Sequence, residues 1–162
     1  MRGNPATYEG ASARFPYAST DRRRYQGRAR FLGLKPKRYV DSNVLIYAAE
    51  REDELGERAR LFIVSDEVLF TSELTEMECL VMPLRNADFV LIGRYERIFA
   101  RIERIPVSSQ VLKIAAQLRA DYRSLRTPDA IHAATALELG CTEFMTNDPA
   151  FVKVEKLIVR AP

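Results

Sequence analysis

At 162 residues, with 47% hydrophobic and 29% charged residues, the chain has the length and composition of one soluble globular domain with a sizeable core. No apolar run approaches the ~20 residues that span a bilayer, and the N-terminus lacks the apolar stretch of a secretory signal, so a cytoplasmic protein with no membrane attachment is expected. Residues 1–38 hold ten basic residues against Glu9 and Asp21, a net of +8. The rest holds fifteen basic and twenty acidic residues, a net of −5, so the overall +3 belongs to the leading segment and not to the domain.

Residues 1–36 lack helical or strand periodicity and are rich in Arg, Gly, Ala, Ser and Pro, which predicts a disordered basic extension ahead of a domain spanning 37–162. A short apolar strand ends at Val40, and a helix follows with Ser42 or Asn43 near its cap. A second helix is predicted over about Glu54 to Val64, then a buried strand at Val68 to Thr71. Thr75 is expected to cap a helix that contains Glu78 and stops near Pro83. Phe89, Ile92, Tyr95, Ile98, Phe99 and Ile102 mark an amphipathic helix. Arg104 to Val107 reads as a strand, and Val111, Ile114, Ala115 and Leu118 mark another helix.

Thr127 with Pro128 at the first helical position is a strong start signal. The following helix is apolar almost all round and ends at Gly140. Phe144 to Thr146 and Leu157 to Val159 read as the closing strands. Continuous apolar strands alternating with helices predict an α/β fold: a parallel sheet of about five strands in three layers, helices on both faces. Cys79 and Cys141 form no CxxC pair and read as buried, reduced thiols.

Four carboxylates stand where strands or loops hand over to helices: Asp41, Glu78, Asp129 and Asp148. In an open parallel sheet the ligand crevice lies beyond the carboxyl ends of the strands. Asp41 and Asp148 therefore fall on one rim, which Glu78 and Asp129 can also face. Crowded carboxylates resist ionisation unless a cation compensates them, and an all-oxygen donor set suits Mg²⁺ or Mn²⁺ rather than Zn²⁺. A phosphatase of the haloacid-dehalogenase type needs a second Asp two residues after the first, where Asn43 stands. The seven glycines form no phosphate-cradling loop. A metal-free ribonuclease with paired histidines is excluded because His132 is the only histidine. Its place in a buried, Ala-rich helix reads as a packed residue with one satisfied nitrogen rather than a general base.

The segments Val40-Asp41-Ser42-Asn43-Val44-Leu45-Ile46, Ser72-x-Leu74-Thr75-x-x-Glu78, Arg126-Thr127-Pro128-Asp129-Ala130-Ile131-His132 and Thr146-Asn147-Asp148, in that order and spacing, resemble the PIN domain and in particular VapC-type toxin ribonucleases of bacterial toxin–antitoxin pairs. The resemblance implies a magnesium- or manganese-dependent endoribonuclease. It implies Asp41, Glu78, Asp129 and Asp148 as catalytic metal-binding acids, with Asn43 and Thr146 shaping the site. It further implies an RNA substrate, a homodimer and a VapB-type antitoxin partner. A PIN domain that binds or processes RNA in a housekeeping role, or that is catalytically silent, is the alternative; retention of all four acids argues against the silent form. Relatives begin a few residues before the first strand, as at Leu34-Lys35-Pro36-Lys37-Arg38-Tyr39. Removing residues 1–33 is therefore expected to leave cleavage at physiological salt within a few-fold of the full chain. A tenfold or greater loss of RNA affinity, recovered at low salt, would show instead that the Arg- and Tyr-bearing segment around Arg22 to Phe31 is a working RNA-binding arm.

Overall fold

A computed structural model describes residues 36–162; the expected extension over 1–36 lies, but for Pro36, outside them. Five parallel strands form one sheet: β1 (Lys37–Val40), β2 (Val68–Ser72), β3 (Glu103–Ile105), β4 (Glu143–Met145) and β5 (Val159–Arg160). Their order is β3-β2-β1-β4-β5. The chain thus builds outward from β1 on one side, returns, and builds outward on the other. The strand order reverses between β1 and β4, and in such sheets that point opens a crevice at the carboxyl ends.

The helices are α1 (Ser42–Glu50), α2 (Glu54–Ile63), α3 (Glu73–Arg85), α4 (Phe89–Phe99), α5 (Ser109–Asp121) and α6 (Thr127–Glu138), with a 3₁₀ turn at Pro149–Lys153. They cover both sheet faces. Successive strand residues point to opposite faces, and β1 shows the consequence. Tyr39 packs into a core with Ile114 and Leu118 of α5, Ala133 of α6, and Phe144 and Phe151. Val40 packs into a second core with Val44 and Leu45 of α1, Ala59 of α2, Cys79 of α3 and Tyr95 of α4. No helix among the described residues is long and apolar enough to cross a membrane.

Helix ends depart from the sequence-based expectation in a consistent way. The cap of α1 is Asp41, whose side chain accepts from the Ser42 N–H, and not Ser42 or Asn43. Ser72, the last residue of β2, caps α3 instead of Thr75. Arg126 precedes α6, so the helix begins at Thr127 and Pro128 is its second residue. In the first two cases a strand passes almost directly into a helix: Asp41 is the single residue between them, and Ser72 is both the last strand residue and the cap. Helix α3 runs two residues beyond Pro83. A proline in the last turn removes one backbone donor without a following turn to disrupt, and the buried Pro83 ring joins the packing. Gly140 ends the α6 region with φ +65°, a conformation that suits glycine. Cys79 is buried, whereas Cys141 is only partly so; neither forms a disulfide.

Candidate active site

Asp41 sits where β1 stops. Its backbone N–H donates to Met145 O of β4 at 3.0 Å, which carries the β1–β4 ladder one residue past the strand. The side chain is 4% exposed. Its Oδ1 accepts from Ser42 N at 2.8 Å and its Oδ2 accepts from the Thr146 hydroxyl at 2.7 Å. Thr146 Oγ1 in turn accepts from Asn43 Nδ2 at 2.8 Å and from the backbone N–H of Asp148 at 3.0 Å. The Asn147 N–H reaches Asn43 Oδ1 at 3.4 Å. One hydroxyl therefore ties together Asp41, Asn43 and the Asp148 loop, joining residues more than 100 positions apart.

Glu78 projects from the first half of α3 toward the same region. Its Oε2 lies 2.9 Å from His132 Nε2 of α6. Helical phase separates it from its acidic neighbours. Glu76 points to the exterior and pairs with Arg104 at 2.8 Å, and Glu73 is exposed.

Asp129 lies in the first turn of α6, and its Oδ2 accepts the Arg126 N–H at 2.8 Å. Asp148 precedes the 3₁₀ turn, with Oδ1 accepting from Ala150 N at 2.8 Å. Three of the four acids are thus also helix-terminal acceptors. Unsatisfied N–H groups and the positive end of the helix dipole favour anionic charge there, so the fold can gather carboxylates at this rim without opposing cationic side chains.

Burial is the main force on Asp41. It raises the carboxyl pKa above the usual aspartate range and the Glu78 charge adds to it, while His132, Thr146 and Ser42 oppose it. For Glu78, burial pushes upward too. The hydrogen bond and electrostatic attraction of His132 outweigh it and leave the pKa below the usual glutamate value. Two neighbouring carboxylates are therefore driven in opposite directions, the pattern that separates roles at acid pairs.

The donors are all hard oxygens, and a buried carboxylate pressed toward its neutral form is what a divalent cation would relieve. In that chemical sense the residues fit Mg²⁺ or Mn²⁺. Among the described residues, however, no three His, Cys, Asp or Glu side chains converge as a metal cage. Glu78 is directed to His132 and Asp129 to the Arg126 N–H. A groove of about 380 Å³ between α1, α2 and α4, rimmed by Arg60, Arg94, Arg97 and Arg101, contains none of the four acids.

Sequence reasoning placed Asp41 and Asp148 on one rim that Glu78 and Asp129 can face, and the resemblance implied Asn43 and Thr146 beside them. Hydrogen bonds join Asp41, Asn43, Thr146 and the Asp148 loop, the Glu78 charge acts on Asp41, and the Asp129 carboxylate is bonded to the Arg126 N–H. Sequence reasoning read Ser42 only as a cap candidate, whereas its hydroxyl also lies 3.5 Å from Asp41 Oδ1. His132 is buried as expected, at 2% exposure, but both of its nitrogens are engaged, and one of them holds Glu78.

Comparison with protein families finds the PIN domain over residues 38–157, and the chain belongs to that family. Among solved structures it is similar to VapBC2 from Rickettsia felis bound to a promoter DNA fragment, at 15% identity and a TM-score of 0.66, covering 77% of this chain and 98% of that one. VapC20 from Mycobacterium tuberculosis, a sarcin-ricin loop cleaving toxin, matches at 18% identity and a TM-score of 0.63, covering 77% and 99%. FitAcB from Neisseria gonorrhoeae matches at 22% identity and a TM-score of 0.61, covering 75% and 95%. At these identities the likeness is one of fold. Comparison with curated proteins finds no match.

Proposed function

We propose that this protein is a metal-dependent endoribonuclease and the toxin of a toxin–antitoxin pair. The observation that carries the reading is the buried Asp41 at the switch point of a PIN-family sheet. It is bonded through Thr146 to the Asp148 loop and lies close enough to Glu78 for that charge to raise its pKa. Asp41, Glu78, Asp129 and Asp148 would hold Mg²⁺ or Mn²⁺, with Asn43 and Thr146 fixing the Asp41 and Asp148 loops. A bound ion would supply Lewis-acid chemistry suited to hydrolysis of an RNA phosphodiester. The chain's own contribution is orientation. Burial keeps water from the Asp41 carboxylate, the Thr146 hydroxyl fixes its rotamer, and the His132 imidazole holds Glu78.

VapBC and FitAB complexes among the structural neighbours support a VapB-type antitoxin as the partner. An anionic acid cluster can accept an Arg or Lys from that partner in the cation's place. Expression of this chain alone in bacteria should slow growth, and co-expression of an adjacent small gene encoding a DNA-binding protein should restore it. Harmless expression of an active, soluble nuclease would favour a housekeeping role in RNA processing.

A homodimer is part of the same proposal. Met77, Val81 and Leu84 recur on one face of α3, and Phe89 and Val90 open α4; all five are exposed, Phe89 by 77%. Apolar groups concentrated in this way mark an association surface. Sedimentation should show a dimer that Leu84→Glu with Phe89→Glu converts to a monomer without loss of secondary structure. A monomeric wild-type chain at micromolar concentration would remove this part of the reading.

A further inference from the structure

The single histidine of the chain joins four elements. From α6, His132 Nε2 meets Glu78 Oε2 of α3 at 2.9 Å. Its Nδ1 meets the Tyr39 hydroxyl of β1 at 2.8 Å and the Ser72 hydroxyl at the end of β2 at 3.4 Å. His132 is 2% exposed, and Tyr39 and Ser72 are fully buried. A carboxylate only accepts, so Nε2 carries the hydrogen; in the neutral ring Nδ1 accepts from the Tyr39 hydroxyl. Burial raises the Tyr39 pKa well above its ordinary value, so that hydroxyl keeps its proton. The Tyr39 ring is itself fixed by stacking on Phe144, with centroids 5.1 Å apart and planes 12° apart.

Glutamate is a long side chain that surrenders substantial rotamer entropy when held in one orientation. Here the imidazole holds it, and the imidazole is held from beneath by the sheet. We propose that His132, anchored by Tyr39 and Ser72, is the positioning residue for Glu78: it sets the direction of the Glu78 carboxylate and, through it, the cation affinity of the acid set. This rests on the metal-dependent reading above. A histidine that merely fills a core site would use its nitrogens on backbone or structural partners. This one uses Nε2 on an acid whose side chain is 25% exposed at the candidate site.

The test is a double-mutant cycle on the full chain, with Mn²⁺ alone as the probe and its binding measured by calorimetry. Removing a group that orients a metal ligand typically costs about 10- to 100-fold in metal affinity, and His132→Phe should show a loss of that order. His132→Gln, whose amide can still donate to Glu78, should recover most of it. Tyr39→Phe loses one hydroxyl, leaves the ring packing intact, and should weaken Mn²⁺ binding in the same direction. In a Glu78→Gln background all three should be nearly silent, because groups acting through one side chain are non-additive.

A second readout needs no metal. With histidine ¹⁵N-labelled, the spectrum contains one imidazole, and its Nε2–H signal should move on Glu78→Gln. Undiminished Mn²⁺ affinity in Tyr39→Phe and His132→Phe, or losses that add fully to that of Glu78→Gln, would overturn the proposal while leaving the nuclease reading intact. If Glu78→Gln itself leaves Mn²⁺ binding unchanged, the metal-site reading fails, and the proposal with it.

Discussion

Asp41→Asn is expected to abolish RNA cleavage while leaving the fold in place. A metal ion supplies several kcal/mol of transition-state stabilisation, and each 1.4 kcal/mol is tenfold in rate, so loss of the buried ligand charge should cost about a thousandfold or more. Stability should respond differently. The Asp41 pKa is raised in the folded chain, chiefly by burial. The folded state thus binds this proton more readily than the unfolded one. Stability from that group is fully present below the unfolded-state pKa and is lost as pH rises through the folded-state pKa. Burial works against the ionised Asp41 carboxylate, a penalty that Asn does not carry, and this offsets the hydrogen bond Asn cannot make. Metal-free melting temperatures of the two should lie within a few degrees at neutral pH, with the wild type gaining on the mutant as pH falls. Asp129→Asn should be equally inactive, yet it weakens a helix-terminal charge interaction of roughly 0.3–1 kcal/mol and so melts slightly lower. Either mutant cutting RNA at the wild-type rate with Mn²⁺ would remove that residue from the site.

Glu78→Gln should reduce cleavage by at least about tenfold more than Glu76→Gln or Glu73→Gln, on the scale typical of metal-site groups. The amide oxygen can still accept from His132, so the packing survives and only the charge is lost. Glu76→Gln breaks an exposed ion pair with Arg104, a change worth roughly 0.2–1 kcal/mol of stability and nothing in chemistry. Equal losses of activity at 76 and 78 would mean that the face of α3 turned to the site has been misassigned.

What the sequence made legible is what depends on local pattern. Continuous apolar strands and the spacing of helix faces predicted five parallel strands with helices on both sides, and the four acids were each placed at the start of a helical element. What it concealed depends on partners distant in the chain. The abrupt passages at Asp41 and Ser72 defeated the cap assignments because periodicity implies a loop between strand and helix, and here one residue or none separates them. Pro83 seemed to end α3, since a pattern of residues does not distinguish a proline in a last turn from one in mid-helix. The motif around Asp148 marked Thr146 as shaping the site, but not that its hydroxyl would hold three segments at once. The link between Glu78 and His132 gave no local signal: the two residues are 54 positions apart and meet only once α3 and α6 have packed over the sheet.

The switch between β1 and β4 also sets a clock. The Asp41–Thr146 and Asn43–Thr146 hydrogen bonds span 105 and 103 residues. Contacts this distant in sequence close late in folding, after the local ones. Chains emerge N-terminal end first, at about 5–20 residues per second, so roughly 5–20 seconds of translation separate Asp41 from the hydroxyl that holds it. During that interval β1, β2 and β3 can pair and their helices can dock, but the rim lacks Thr146 and Asp148. The rim that joins Asp41 to the Asp148 loop therefore cannot close until nearly the whole chain has been made.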